Sequence, residues 1–143
     1  MVVKDIMTPK LITITPDENA ALAARLLYRY NIGALPVCSR EGKIRGMVTD
    51  RDIVLRCVAA GEEPEGTKIS HIMTRKVITV DPSDPVEKAA AIMAREQIRR
   101  LPVQKEGKLI GMVSLGDISK IKDHRTEVGE TLSEISENIR RIY

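Results

Sequence analysis

Tryptophan and phenylalanine are absent from the 143 residues, and tyrosine is confined to Tyr28, Tyr30 and Tyr143. A core must therefore come from Leu, Ile, Val, Met and Ala. The aromatic platforms on which single-stranded nucleic acids stack are missing. Cysteine occurs twice, at Cys38 and Cys57, with neither the spacing of a metal site nor the number of a disulfide framework. Cys57 lies in the apolar run Ile53, Val54, Leu55 and Val58 and reads as a buried free thiol. No apolar run approaches the roughly 18 residues that span a bilayer. The start Met1-Val2-Val3-Lys4-Asp5 lacks the apolar stretch of a secretory signal, so a cytoplasmic protein with no membrane association is expected.

No charge of one sign dominates. Lys and Arg number 23 against 20 Asp and Glu, a net charge of +3, and the two signs are interspersed. That balance disfavours general nucleic-acid binding but leaves room for a local basic cluster on a small anion. Gly-x-Gly-x-x-Gly, Walker-type and Gly-x-Ser-x-Gly motifs are missing. His71 and His124 have no partner at catalytic or metal-ligand spacing. The chain is expected to be no enzyme, with no metal site and no required cofactor.

What is present is a sequence written twice. Ile6-Met7-Thr8 falls over Ile72-Met73-Thr74, and the register holds through Lys10 and Lys76, Ile12 and Ile78, and Pro16 and Pro82. It continues through Ala23 and Ala89 and through Arg29 and Arg95, to Leu35-Pro36-Val37 over Leu101-Pro102-Val103. One residue is then lost in a charged turn, where length changes are tolerated. Thereafter Glu41-Gly42-Lys43 matches Glu106-Gly107-Lys108, Gly46-Met47-Val48 matches Gly111-Met112-Val113, and Asp52-Ile53 matches Asp117-Ile118.

Each copy predicts the same elements. The β-branched runs Leu11–Ile14 and Val77–Val80 read as strands. Thr15-Pro16-Asp17-Glu18 and Asp81-Pro82-Ser83-Asp84 read as helix starts with proline at the first helical position. The helices, over 17–30 and 83–96, turn inward Ala20, Ala23, Leu26, Leu27 and Tyr30 in the first copy. Val86, Ala89, Ala90 and Met93 do so in the second. A hairpin beginning at Leu-Pro-Val follows, short because proline suits only an edge or a first strand position. A second helix then opens at Thr49 or Ser114. The order is β-α-β-β-α, in a unit too small to bury an adequate core alone. The two copies are expected to pack with pseudo-two-fold symmetry as one α+β fold, over 1–62 and 63–122, with a C-terminal helix over 123–143.

Taken in order and twice over, Ile-Met-Thr, Leu-Pro-Val and Gly-Met-Val-Thr/Ser-x-x-Asp-Ile resemble the CBS domain, the regulatory motif first known in cystathionine β-synthase. The resemblance covers about 1–60 and 67–122 and implies a stand-alone CBS pair, or Bateman module. Relatives that bind adenosine nucleotides hold the ribose hydroxyls on the aspartate of the Thr/Ser-x-x-Asp motif. The corresponding residues are Thr49 with Asp52, and Ser114 with Asp117. A carboxylate can accept from two vicinal hydroxyls, while a helix start favours phosphate. By the same resemblance adenine lies in an apolar slot, lined by Ile12, Ala34 and Pro36 in one copy and by Ile78 and Pro102 in the other. Arg51, Arg99 and Arg100 become candidates for the phosphates, with Lys10 and Lys76 near the slot mouth.

Each assignment has a plainer counterpart. Thr49 with Asp52 and Ser114 with Asp117 have the spacing of capping boxes needed without any ligand. Arg99-Arg100 suits a solvated edge, and Lys10 and Lys76 suit ordinary surface positions. The copies also differ: Gly33-Ala34 stands where the second has Arg99-Arg100, and Asp50-Arg51 where the second has Leu115-Gly116. Two sites of unequal affinity are expected, or one site that stays empty.

Beyond the repeat, Val128, Leu132, Ile135, Ile139 and Ile142 form an a/d stripe in phase with Ile118 and Ile121, which predicts an amphipathic helix. It either docks on its own module or meets a partner. The function implied is a sensor that binds AMP, ADP or ATP, with S-adenosylmethionine and NADH behind them, in a cleft between the repeats. A homodimer around a flat helical interface is expected, together with an unidentified protein that the sensor regulates. The alternatives are a ligand-independent dimerisation or protein-interaction module and a weak nucleic-acid binder.

Overall fold

Pro36 and Pro102, which carry no N–H, set the width of two small sheets. The computed structural model describes residues 1–121 and 125–140, with the side chains of the last helix described at 128–135. In it β1 (Ala34–Cys38) pairs antiparallel with β2 (Ile44–Thr49), and β3 (Arg100–Lys105) pairs with β4 (Lys108–Ser114). The run Leu11–Ile14 does not become a third strand. It touches β1 at a single parallel bridge, where the Ile14 N–H donates to the Pro36 carbonyl (3.1 Å) and the Cys38 N–H to the Ile14 carbonyl (2.9 Å). One step earlier the ladder would need an N–H from residue 36, and proline has none. Val80 repeats the arrangement, donating to the Pro102 carbonyl at 3.1 Å and accepting from Gln104 at 3.0 Å. The predicted β-α-β-β-α order survives, with its first strand reduced to a bridge.

The hairpin turns absorb the length difference between the copies. Glu106 and Gly107 both take positive φ, 53° and 80°, the backbone of a tight primed turn. The first hairpin instead has a longer turn closed on Ser39 and a register shift between Val37 and Cys38.

Seven α-helices accompany the strands among the described residues: α1 (Val3–Ile6), α2 (Ala20–Tyr30), α3 (Asp50–Ile53), α4 (Ile69–Ile72), α5 (Val86–Glu96), α6 (Leu115–Ser119) and α7 (Arg125–Arg140). None is long and apolar enough to cross a membrane. The long helices begin at Ala20 and Val86 instead of 17 and 83. Thr15–Glu18 and Asp81–Asp84 form turns ahead of them, closed by Glu18 N–H to the Thr15 carbonyl and Asp84 N–H to the Asp81 carbonyl. The cause is an antiparallel bridge at each helix entry, Asn19 with Lys68 and Val2 with Pro85, which holds the entry residue extended. Asn19 caps α2 by accepting from the Leu22 N–H at 2.8 Å.

Those bridges also show that packing does not follow the repeat boundary near residue 62. One compact unit comprises Met1–Leu11, Ile78–Glu106 and Ile110–Tyr143; the other comprises Ile12–Val77 and Gly107–Leu109. In the first unit α1 is tied to the turn before α5, with the Val3 N–H on the Asp84 carbonyl at 2.9 Å. In the second α4 is tied to the turn before α2, with the Ile69 N–H on the Glu18 carbonyl at 2.8 Å. Each copy's leading arm thus packs with the helix and hairpin of the other copy.

Each unit has its own core, built from aliphatic residues and methionine. Leu35, Val37, Val48, Ile69 and Ile72 centre one, and Val86, Met93, Leu101, Val103, Val113 and Ile118 centre the other. Of the residues expected inside on α2, Ala20, Ala23 and Leu27 are buried and Leu26 half-buried, but Tyr30 faces solvent. After α3 the backbone widens into a π turn over Val54–Val58. Cys57 is buried and free, yet Val54, Leu55 and Val58 of the same run are exposed.

Val128 and Ile135 of α7 pack on the first unit's core, with Thr131 buried between them. Leu132, expected on the same stripe, is 41% exposed. The helix therefore lies on its own unit, against α5 and α6, through positions 128, 131 and 135. His124, Ile142 and the side chain of Ile139 lie outside the described residues.

Candidate functional site

Apart from Lys10, the residues singled out in the first copy gather at one end of the β1–β2 sheet, within one unit. Register places Ala34 opposite Thr49, and the Asp50 N–H donates to the Gly33 carbonyl at 3.1 Å, which fixes the start of α3 beside the start of β1. Ile12 precedes the Ile14 bridge and lies alongside the same end of β1, half-buried, while Pro36 is buried. In the other unit Ile78 precedes the Val80 bridge, and the Leu115 N–H donates to the Arg99 carbonyl at 2.8 Å. Arg99, Arg100, Pro102, Ser114 and Asp117 are thereby brought to one sheet end. Proline at 36 and 102 offers no ladder donor to the Ile12 and Ile78 carbonyls.

Both Thr/Ser-x-x-Asp pairs form complete capping boxes. Thr49 Oγ1 accepts from the Asp52 N–H at 3.0 Å, and Asp52 Oδ2 accepts from the Thr49 N–H at 3.0 Å. Ser114 Oγ and Asp117 Oδ2 repeat this at 3.1 and 2.8 Å. Each cap uses one carboxylate oxygen and holds the aspartate in a single half-buried pose. In α3 the Arg51 N–H is also taken, by Asp50 Oδ1 at 2.8 Å, so that turn has no spare donor for a phosphate.

The remaining oxygens differ between copies. Asp52 Oδ1 stands 3.6 Å from Arg56, whose guanidinium also donates to the Ile72 carbonyl at 2.9 Å and to Thr74 Oγ1 at 3.4 Å. Asp117 has no ion-pair partner among the described residues. Arg56 was not anticipated from the sequence. Its counterpart in the second copy is Ile121, so the repeat alignment hid it, and only the i,i+4 spacing from Asp52 could have flagged it.

The proposed phosphate cations are placed unevenly. Arg51 and Arg99 are exposed, and Arg100 is half-buried at the start of β3. Lys10 and Lys76 are exposed on the exchanged arms: Thr8 bridges Met112 of β4, and Thr74 bridges Met47 of β2. Burial raises the Cys38 thiol above its ordinary value and keeps it protonated. Hydrogen bonds from Ser83 lower the exposed Asp81 carboxyl.

Comparison with known proteins accords with this architecture. A family model described as "CBS domain" matches residues 3–58 and 69–124. The chain is 38% identical over 134 residues to the CBS domain-containing protein YhcV of Bacillus subtilis, covering 94% of each. Among solved structures it resembles Hypoxic Response Protein I with two coordinated zinc ions (31% identity, TM-score 0.78, 85% of this chain and 98% of that one). It also resembles the CBS domain pair of MJ0100 in complex with 5'-methylthioadenosine and S-adenosyl-L-methionine (33% identity, TM-score 0.75, 85% and 98%). Among the described residues of this chain, no three His, Cys, Asp or Glu side chains are grouped to hold a metal ion.

Proposed function

Because the chain belongs to the CBS domain family, we propose that it is a regulatory module that binds an adenine nucleotide, AMP, ADP or ATP, and acts by changing how it engages other proteins, without catalysis. The reading rests foremost on a duplicated constellation. In each unit a capped aspartate, held in one pose with an oxygen not used by the cap, stands beside an apolar edge ending in a carbonyl without a ladder donor. An adenosine presents the complementary groups: two vicinal hydroxyls for the carboxylate, an apolar face, and an exocyclic amine for a carbonyl. The adenosine-containing ligands of the MJ0100 pair belong to the same class.

The two sites are unequal in this account. Arg99 and Arg100 favour a phosphorylated ligand in the second copy. In the first, Asp50 stands near the α3 start and Arg56 engages Asp52, which favours an adenosine of lower negative charge such as S-adenosylmethionine. The module works as a homodimer through its helices. A thermal melt against AMP, ADP, ATP, S-adenosylmethionine and NADH tests the reading. At a hundredfold excess over Kd a ligand contributes about 2.7 kcal/mol, a rise of several degrees.

The completed capping boxes also favour a second reading, a ligand-independent assembly module in which both aspartates serve only as caps. No melting shift with any ligand, together with a stable dimer, selects it.

A further inference from the structure

The outer face of α2 is an open depression lined by Leu22, Arg25, Leu26, Tyr28, Arg29 and Asn31. Tyr28, at its rim, is 90% exposed. The charged residues of α2 are Arg25 and Arg29, one turn apart on that face, and no acid accompanies them. Neither has an ion-pair partner among the described residues; Arg29 lies over the Tyr30 ring at 5.8 Å.

The corresponding helix of the other copy, α5, has α7 packed against it, and Ala90 and Ile92 are buried there where α2 has Ala24 exposed and Leu26 half-buried. Between 126 and 139, α7 carries four charged residues, Glu127, Glu130, Glu134 and Glu137, and no base. Their three-four-three spacing puts them on one stripe of the helix. Val128, Thr131 and Ile135 dock on the unit, while Glu130 and Glu134 are exposed. One chain thus carries a basic helical face with no acid paired to it among the described residues and, on α7, the outward Glu130 and Glu134.

We propose that these faces meet between two copies, so that the homodimer is head-to-tail: the acidic stripe of α7 lies on the α2 groove of the second copy, and two-fold symmetry repeats the contact. The inference rests on the homodimer reading above and adds its orientation. Charge decides it. A head-to-head dimer would set Arg25 and Arg29 against their own copies, and α7 against α7 would stack acid on acid, both repulsive. The i,i+4 spacing of Arg25 and Arg29 matches that of Glu130 and Glu134, and Leu22 and Leu26 offer apolar ground to the glutamate stems.

Sedimentation of the intact chain, with cross-linking, tests this. Wild type sediments as a dimer whose affinity falls with salt. Arg25→Glu with Arg29→Glu weakens it by about tenfold or more, as does Glu130→Arg with Glu134→Arg, and combining all four substitutions restores it. Under mild oxidation, Arg29→Cys chains mixed with Glu134→Cys chains form a disulfide-linked dimer, and neither variant does so alone. All four sites are exposed, so the variants keep the wild-type fold, read by circular dichroism. A dimer in which Arg29→Cys cross-links to itself, or which ignores both charge pairs, overturns the orientation and leaves the homodimer standing. A monomeric wild type overturns the homodimer, and the orientation with it.

Discussion

The backbone of Gly46 lies against the carbonyl of Thr74 so closely that a Cβ at position 46 would stand 2.7 Å from that oxygen and 2.9 Å from Met73 Sδ. Gly111 stands in the same relation to Thr8 and Met7, at 3.0 and 2.7 Å. Each Gly-Met-Val motif is therefore the seat of the other copy's Ile-Met-Thr arm. Neither glycine has positive φ, so the requirement is for space. Alanine at either position costs about 1–3 kcal/mol, measured by urea denaturation. Gly129 on α7 has nothing within 4 Å, and Gly129→Ala should gain about 0.5–1 kcal/mol.

Val128, Thr131 and Ile135 form the face on which α7 is seated. Ile135→Ala removes apolar contact with the core and should cost about 2 kcal/mol or more. Leu132→Ser, on the exposed side, should change stability by less than about 0.5 kcal/mol. Equal losses in thermal melts would mean that the helix is rotated from the face described here.

Cys38 and Cys57 are both buried, and burial raises the Cys38 thiol. The sign follows directly: the folded protein favours the neutral thiol, and that preference costs stability only as pH climbs past the ordinary cysteine value. A thiol reagent at neutral pH should label neither residue in the folded protein within minutes and both in denaturant. Rapid labelling of the native chain would contradict the packing.

Arg99→Ala with Arg100→Ala separates phosphate recognition from adenosine recognition. Affinity for ATP should fall about tenfold or more, as expected for lost charge-assisted contacts, while affinity for uncharged adenosine changes little. An equal loss for both would make the pair structural. Calorimetry with the two ligands reads the difference directly.

Much of this molecule was legible because it is written twice. The hairpins, the capped helices at Thr49 and Ser114 and the free buried Cys57 followed from motif and spacing. The first strands did not, because β-branching predicted strands while the missing N–H of Pro36 and Pro102 capped each ladder at one bridge. The starts of α2 and α5 were misplaced because Asn19 and Pro85 are held extended by Lys68 and Val2, contacts remote in sequence. Repeat alignment could not show that each arm packs with the other copy, since exchanged and unexchanged arms have identical sequences. On α7, burial of Thr131 in place of Leu132 is a matter of helix rotation on the α5–α6 surface, which heptad counting does not contain. The Arg56–Asp52 contact was not foreseen.

The central claim is that each aspartate has two separable roles, one oxygen for the cap and one for ribose. Calorimetric titration of wild type, Asp52→Asn and Asp117→Asn with AMP, ATP and S-adenosylmethionine tests it most directly. Asparagine keeps an oxygen that accepts the Thr49 or Ser114 N–H, so melting temperatures should hold within a few degrees. Saturable binding in the wild type should weaken about tenfold or more in at least one variant, with phosphorylated ligands lost at Asp117→Asn. Binding that survives both substitutions unchanged, or a wild type that binds none of the three, would contradict the account.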